Sequence, residues 1–359
     1  MIPAATIGSE DTVLVTGATG FTGSTLVRKL VAAGARVRGI ARRSSNIEPL
    51  SDLAIDWYRG DVFDPLLVNR AAAGVTYVFS MATAYREGGA TPDDFRRVHV
   101  DATRLLAEAS TKNAALRRFV HVSTIGVHGH IESPPADENY QFAPDDAYQE
   151  TKLEAEKWIT TAAQEKGLPL TVLRPTAIYG PGDRRLLKLF KMATRPFFVV
   201  VGRGDTWYHL IHVEDLCDSM LLAATHPAAL GQVIICGNPE ARRLSEIGRL
   251  IADALGRPFR ILQLPAAPFF LLADLCERVC APLGITPLLY RRRVAFFTKD
   301  RCFDTRRLCE TLGFRPRFSY EEGLRRTAEW YVEQGWLGRT SRHGSRRERG
   351  RDRLAGSCE

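Results

Sequence analysis

The sequence predicts an α/β fold, a doubly wound parallel sheet with a smaller C-terminal lobe. Three observations predict it. Short apolar runs alternate with helical stretches through the first half of the 359 residues. A glycine-rich turn stands at the first junction between strand and helix. After Arg174 the alternation gives way to a stretch punctuated by Pro175, Gly180, Pro181 and Gly182.

In chain order, Thr12 to Thr16 reads as a strand and Thr22 to Ala33 as a helix. Arg36 to Ala41, Ile55 to Tyr58 and Thr76 to Ser80 read as the next three strands. A helical pattern runs from Asp93 to Ala109, then strands at Arg118 to Val122 and Leu170 to Arg174. This repetition implies parallel strands joined by helical crossovers. The expected division is an extension over residues 1–10, a first domain over 11–178, a lobe over 179–338 and a tail over 339–359. His209 to Val213 and Gln232 to Cys236 still look like strands, so segments near 209–236 are expected to return to the main domain.

Composition sets outer bounds. The chain is 45% hydrophobic and 25% charged, as globular domains are. Met1 to Asp11 has neither the basic nor the apolar region of a secretory signal. The longest apolar stretch, Leu264 to Ala273, is too short to span a bilayer and is followed by Asp274, Glu277 and Arg278. It suits a surface-lying or substrate-covering segment, with peripheral membrane contact as one option. The seven cysteines are odd in number and form no Cys-x-x-Cys pair. Cys276 and Cys280 share a helix face by spacing, and free thiols in a reducing cytoplasm are the expectation. Of the net charge of +8, +4 comes from residues 339–359, where seven arginines face Glu348, Asp352 and Glu359. That segment has too few apolar residues to bury a core. It reads as a disordered, solvated tail rather than a nucleic-acid-binding arm.

The first β–α junction reads Thr16-Gly17-Ala18-Thr19-Gly20-Phe21-Thr22-Gly23. Small residues let the backbone approach a pyrophosphate, and the following helix offers free N–H groups and a positive dipole end. This is the arrangement of a Rossmann-type dinucleotide site; the plainer alternative is a tight turn that only packs helix on strand. Valine at Gly17 or Gly20 is expected to abolish dinucleotide binding while leaving the fold. The second strand ends Ala41-Arg42-Arg43. An acid at Ala41 would favour NAD; arginines beside it pair a 2′-phosphate and favour NADP, with NAD still possible.

Tyr148-Gln-Glu-Thr-Lys152 places a phenol and an ammonium one helical turn apart. The phenol, with pKa near 10, is a poor base at neutral pH; a neighbouring cation favours its phenolate. Such a tyrosine can exchange a proton with a substrate hydroxyl or carbonyl. His128 and His130 alternate like strand residues, but no third ligand has supporting spacing and no metal is expected.

Together these motifs resemble the extended short-chain dehydrogenases, the family of nucleotide-sugar epimerases, dihydroflavonol reductases and 3β-hydroxysteroid dehydrogenases. The resemblance covers about residues 11–338, and it carries the Gly-x-x-Gly-x-x-Gly spacing and the Tyr-x-x-x-Lys motif. It implies an NAD(P)-dependent oxidoreductase with Thr124, Tyr148 and Lys152 as catalytic residues, Ser123 standing in reserve for Thr124. It implies cofactor contacts from Gly17, Gly20, Phe21, Thr22, Gly23, Arg42, Arg43, Asp61, Val62, Ala82, Tyr148, Lys152, Pro175 and Ile178. By fold analogy the chain is expected to be a homodimer, and the free thiols and the N-terminal residues make a cytoplasmic location the expectation. One departure stands out: where the family often has asparagine in the fourth helix, this chain has His99.

The substrate is less legible. Related nucleotide-sugar enzymes place a diphosphate-clamping arginine where Tyr208 stands, although Arg203 is close enough in sequence to substitute. Pro265 to Ala273 and Leu283 to Phe297, apolar with a basic edge at Arg291 to Arg293, resemble the corresponding region of 3β-hydroxysteroid and sterol-4α-carboxylate dehydrogenases. An apolar, sterol-like alcohol or ketone is therefore the expected substrate. The alternatives are a nucleotide-sugar epimerase or dehydratase, and a non-catalytic dinucleotide-sensing protein.

Overall fold

The computed structural model describes residues 6–84, 91–202, 206–280, 282, 294 and 298–338. The strands in chain order are β1 (Thr12–Thr16), β2 (Arg36–Ala41), β3 (Ile55–Arg59), β4 (Tyr77–Ser80), β5 (Arg118–Val122), β6 (Leu170–Pro175), β7 (Ala177–Tyr179), β8 (Phe198–Val201), β9 (Trp207–Tyr208), β10 (Leu210–His212), β11 (Val233–Cys236), β12 (Arg242–Arg243) and β13 (Ile261–Leu264). Seven of them form one parallel sheet in the order β11-β6-β5-β4-β1-β2-β3. The described helices are α1 (Phe21–Ala32), α2 (Pro65–Ala72), α3 (Pro92–Arg96), α4 (Ala102–Thr111), α5 (Ala147–Lys166), α6 (Leu187–Ala193), α7 (Val213–Thr225), α8 (Leu244–Ala254), α9 (Ala266–Cys280) and α10 (Tyr320–Glu333).

The period-two alternation of the strands builds two cores. Val13, Val15, Phe79, Val120 and Leu173 face one side, where they pack with Leu26, Val27 and Leu30 of α1 and Leu216 and Met220 of α7. Leu14, Val78, Phe119 and Val172 face the other, against Val68 of α2, Leu106 of α4 and Ile159 of α5. A sheet covered on both faces needs strands that are apolar on both, which is why β1, β4 and β6 are buried along their whole length. A third core joins α6, α8 and α10 through Phe190, Ile247, Ile251, Leu324 and Tyr331.

Two elements differ from the sequence reading. Gln232 to Cys236 supplies β11 at the sheet edge, whereas β10 pairs with β7 in a separate two-stranded sheet. Ile211 of β10 nonetheless packs into the core beneath the main sheet. The helix expected from Asp93 to Ala109 widens into a π turn at Arg97–Asp101 between α3 and α4. The basic tail lies outside the described residues.

Candidate active site

The strand order reverses between β1 and β4, and ligands of such sheets bind beyond the carboxyl ends of the strands at that point. The two strand ends meet there. Thr16 Oγ1 accepts hydrogen bonds from the backbone N–H of Met81, at 3.0 Å, and of Ala82, at 3.1 Å. Gly17 takes φ +73°, and a Cβ on it would lie 2.9 Å from Met81 O. Gly23 has no more room: a Cβ there would lie 2.1 Å from Gly17 O. Gly20 is different. It caps α1 at φ −78° and ψ 171°, a conformation open to any residue, and its Cβ would meet only Gly17 O at 3.2 Å. The expectation that valine at Gly17 spares the fold is therefore corrected; only Gly20 separates binding from folding.

The α1 N-terminus has no side-chain cap and no acidic residue in its first turn. The first-turn N–H groups at Phe21, Thr22 and Gly23 have no carbonyl within the helix to bond. An open positive helix end beside a turn stripped of side chains fits a pyrophosphate. The ring of Phe21 lies 3.7 Å from where a Gly182 Cβ would stand, so the loop after β7 closes over the turn.

The remaining cofactor candidates surround this cradle. Arg42 and Arg43 are exposed just beyond β2, and Arg59 braces their loop by donating to the carbonyls of Arg43, at 2.7 Å, and Ser45, at 3.1 Å. Asp61 is exposed, while Val62 and Ala82 line a small cavity with Thr16, Ser80, Thr103, His121 and Lys152. Pro175 is buried at the end of β6, and Ile178 is half-buried in β7.

Tyr148 and Lys152 occupy the first turns of α5, which Asp146 caps by accepting from Gln149 N at 2.9 Å. The Tyr148 ring is half-buried, edge-on to His99 at 5.1 Å and to Phe95 at 6.0 Å. Lys152 is 4% exposed and donates from Nζ to Val122 O at 3.0 Å. Burial pulls its ammonium down to about 8, partly opposed by the Glu156 charge. Two residues past Val122, Thr124 begins the 3₁₀ turn Ile125–His128, its Oγ1 accepting from Gly126 N at 3.1 Å. That bond uses an acceptor site and leaves the hydroxyl proton to donate. Ser123 Oγ is buried without a hydrogen-bond partner among the described residues.

Three buried groups escaped the sequence reading. His121 is fully enclosed, with neither ring nitrogen hydrogen-bonded among the described residues, and burial together with the Lys152 charge lowers it to about 3. Thr176 Oγ1 is likewise buried without a partner among the described residues. Arg174 is held by a buried ion pair with Glu156, Nε to Oε1 at 3.1 Å, and donates to Glu138 O at 2.7 Å. It also meets His128 Nε2 at 3.0 Å, while His128 Nδ1 bonds Gln141 O at 3.2 Å. Arginine can only donate, so His128 Nε2 is the acceptor and Nδ1 carries the proton. Nothing in the local sequence signals that the His121 ring and the Thr176 hydroxyl are buried without a hydrogen-bond partner among the described residues.

Tyr208 is 8% exposed, and burial raises its phenol above the ordinary range. The guanidinium of Arg301 stands 5.7 Å from its ring. Arg203 lies outside the described residues, as do Leu283 to Arg293 and Ala295 to Phe297.

The model of the NAD dependent epimerase/dehydratase family matches residues 13–237. The chain belongs to this family. It is an NAD(P)-dependent oxidoreductase of the extended short-chain dehydrogenase type. It is 31% identical to a ceramide reductase of Caulobacter vibrioides, over 92% of this chain and 97% of that one. A putative dihydroflavonol 4-reductase of Synechocystis sp. is 29% identical, with the same coverage of both chains. A 3 beta-hydroxysteroid dehydrogenase/Delta 5-->4-isomerase of Mycobacterium tuberculosis is 27% identical, over 89% of this chain and 90% of its own. Among solved structures, gox2253 superposes with a TM-score of 0.77 at 26% identity, covering 90% of this chain and 99% of that one. Among the described residues, no helix is long and apolar enough to cross a membrane, and no group of three or more His, Cys, Asp or Glu could hold a metal ion.

Proposed function

We propose that this enzyme interconverts a secondary alcohol and a ketone on an apolar, sterol-like substrate, with NADP(H) preferred over NAD(H). The observation that carries the reading is Lys152, a buried ammonium drawn down to about 8 and placed one turn from Tyr148. When bound, the nicotinamide supplies or accepts a hydride. The chain's own residues do the rest. The glycine turn and the N–H groups at Phe21, Thr22 and Gly23 hold the pyrophosphate, and Arg42 and Arg43 pair the 2′-phosphate. Lys152 holds a positive charge that favours the Tyr148 phenolate. Tyr148 gives its phenolic proton to the substrate oxygen in reduction and takes it back in oxidation. Thr124 donates its free hydroxyl proton to the same oxygen and fixes its direction.

Two observations support an apolar substrate. Tyr208 replaces a cation with a buried ring where a sugar diphosphate would need one, and α9 carries exposed Leu271, Leu272, Leu275 and Val279. The named relatives point the same way, since ceramide and 3β-hydroxysteroids are apolar molecules bearing hydroxyl groups. A second reading, a nucleotide-sugar epimerase or dehydratase, has one observation in its favour: Arg301 against Tyr208. A panel of 3β-hydroxysteroids, long-chain and aromatic ketones and UDP- or dTDP-sugars, followed at the NADPH absorbance band and by melting temperature, separates the two. Tyr148→Phe, which removes only the hydroxyl, lowers turnover of the responding substrate by about 10²–10⁴-fold. A wild-type rate in that variant places the chemistry elsewhere.

A further inference from the structure

His99 stands where the family often has asparagine, and the reaction above gives it no task. Its surroundings do. The ring is 1% exposed, held within the π turn Arg97–Asp101, and both its nitrogens are bonded. Nε2 lies 2.9 Å from Thr83 Oγ1, and Nδ1 lies 2.9 Å from Thr151 Oγ1.

Thr151 decides the direction of both bonds. Its Oγ1 is 2.7 Å from Ala147 O and 3.2 Å from Tyr148 O, so its single proton is committed to helix carbonyls. Toward His99 it can only accept. Nδ1 therefore carries a ring proton, and in the neutral ring Nε2 accepts from the Thr83 hydroxyl, whose other acceptor, Ala84 O, is farther away at 3.3 Å. The line Thr83, His99, Thr151 thus ends on a helix carbonyl. Among the described residues this line makes no hydrogen bond to Tyr148 or to Lys152, whose Nζ is turned to Val122 O.

We infer that His99 is a positioning residue: it clamps the loop after β4 to the first turn of α5 through Thr83 and Thr151, and its ring fixes the edge-on seat of Tyr148. The inference rests on the reading that Tyr148 moves the proton. The clamp acts at three places. Thr151 lies three residues along α5 from Tyr148, so the bond sets the rotation of that turn. The imidazole stands at 90° to the phenol, and Phe95 supports the same phenol from a second side at 88°. Thr83 adjoins Ala82, one of the cavity residues beside Lys152. A shift of about 1 Å in a reacting group costs on the order of 10²-fold in rate, so a loosened tyrosine is felt in turnover more than in cofactor binding.

The test uses His99→Phe, which keeps a ring beside Tyr148 and removes both hydrogen bonds, and Thr151→Val, which removes one hydroxyl at nearly constant volume. Each is expected to lower kcat roughly 10–100-fold on the substrate that responds in the panel, while KM and the NADPH dissociation constant stay within about twofold. The double variant is expected to be no slower than the worse single, because both break one link. With tyrosines carrying ¹³C at the ring ε positions, the Tyr148 resonance, identified by its loss in Tyr148→Phe, is expected to broaden or split in both variants. Wild-type kcat in both, or additive losses in the double, overturns the inference. So does a kcat loss in Thr151→Val with an unchanged Tyr148 resonance. If Tyr148→Phe loses turnover and His99→Phe keeps the wild-type kcat, the inference falls and the reaction stands. If Tyr148→Phe is fully active, the reaction falls; the resonance alone then decides whether His99 seats that ring, an unchanged line overturning it.

Discussion

Replacing Lys152 with methionine should make the protein more stable and inactive at once. The Lys152 ammonium is 4% exposed, and burial lowers it from 10.5 to about 8. That gap corresponds to roughly 3 kcal/mol by which the folded state is penalised for holding the charge. The sign follows from the direction of the shift. Below about pH 8 the lysine is charged in both folded and unfolded chains, and the penalty is present in full. Between about 8 and 10.5 the folded chain sheds the proton first, and the penalty fades. Methionine keeps the stem without the charge, so Lys152→Met should gain up to about 3 kcal/mol near pH 7. With an unfolding entropy of about 2.1 cal/mol/K per residue, this is about 4 °C in Tm. Scanning calorimetry at pH 7 and pH 10 reads it: a gain of a few degrees at pH 7 that shrinks at pH 10, with turnover lost. A variant destabilised equally at both pH values would show that the Val122 hydrogen bond outweighs the buried charge, and the reasoning would fail.

Three further outcomes are expected. Gly20→Ala should keep its Tm within about 2 °C yet lose most NADPH binding by fluorescence titration, whereas Gly23→Ala, whose Cβ would meet Gly17 O at 2.1 Å, should lose Tm as well. The Arg42→Ala/Arg43→Ala double variant should bind NADPH and NADH with similar affinity; an unchanged preference removes these arginines from the 2′-phosphate. Glu156→Gln should cost about 3–5 kcal/mol in urea unfolding, because it strands the buried Arg174 charge, and a loss under about 1 kcal/mol would mean water reaches that pair.

The sheet was legible because its residues alternate at a period that survives in one dimension: Val13 and Val15 pack with one core, Leu14 with the other. The glycine turn and the Tyr148–Lys152 spacing were legible for the same reason, being local. What the spacing could not show was burial. Nothing in Tyr-x-x-x-Lys says that the lysine is dry, and its lowered pKa depends on that. Nor could the sequence show partners far apart in the chain. His99 meets Thr83 across 16 residues and Thr151 across 52, and His128 meets Arg174 across 46. The His128–His130 alternation gave His128 no role; its tautomer is set by an arginine it accepts from. The pairing of β10 with β7 was hidden because a three-residue strand, Leu210–His212, is too short to specify which sheet it joins.

The route of the chain through residues 209–236 has a consequence for how such an enzyme changes its substrate. Ile211, Leu216, Met220 and Ile234 come after the first excursion to the small lobe, yet they belong to the core beneath the main sheet, and β11 closes that sheet against β6. A fragment ending at residue 178 would lose its outermost strand and leave β6 with open hydrogen-bonding groups, an invitation to pair with other chains. The C-terminal half is therefore not a module to be exchanged whole. The chain returns once more near residues 303–314, where Leu308, Leu312 and Phe314 join the same core, so new specificity has to enter through the excursions over residues 179–208, 237–302 and 315–338, while the returning segments keep the sheet sealed.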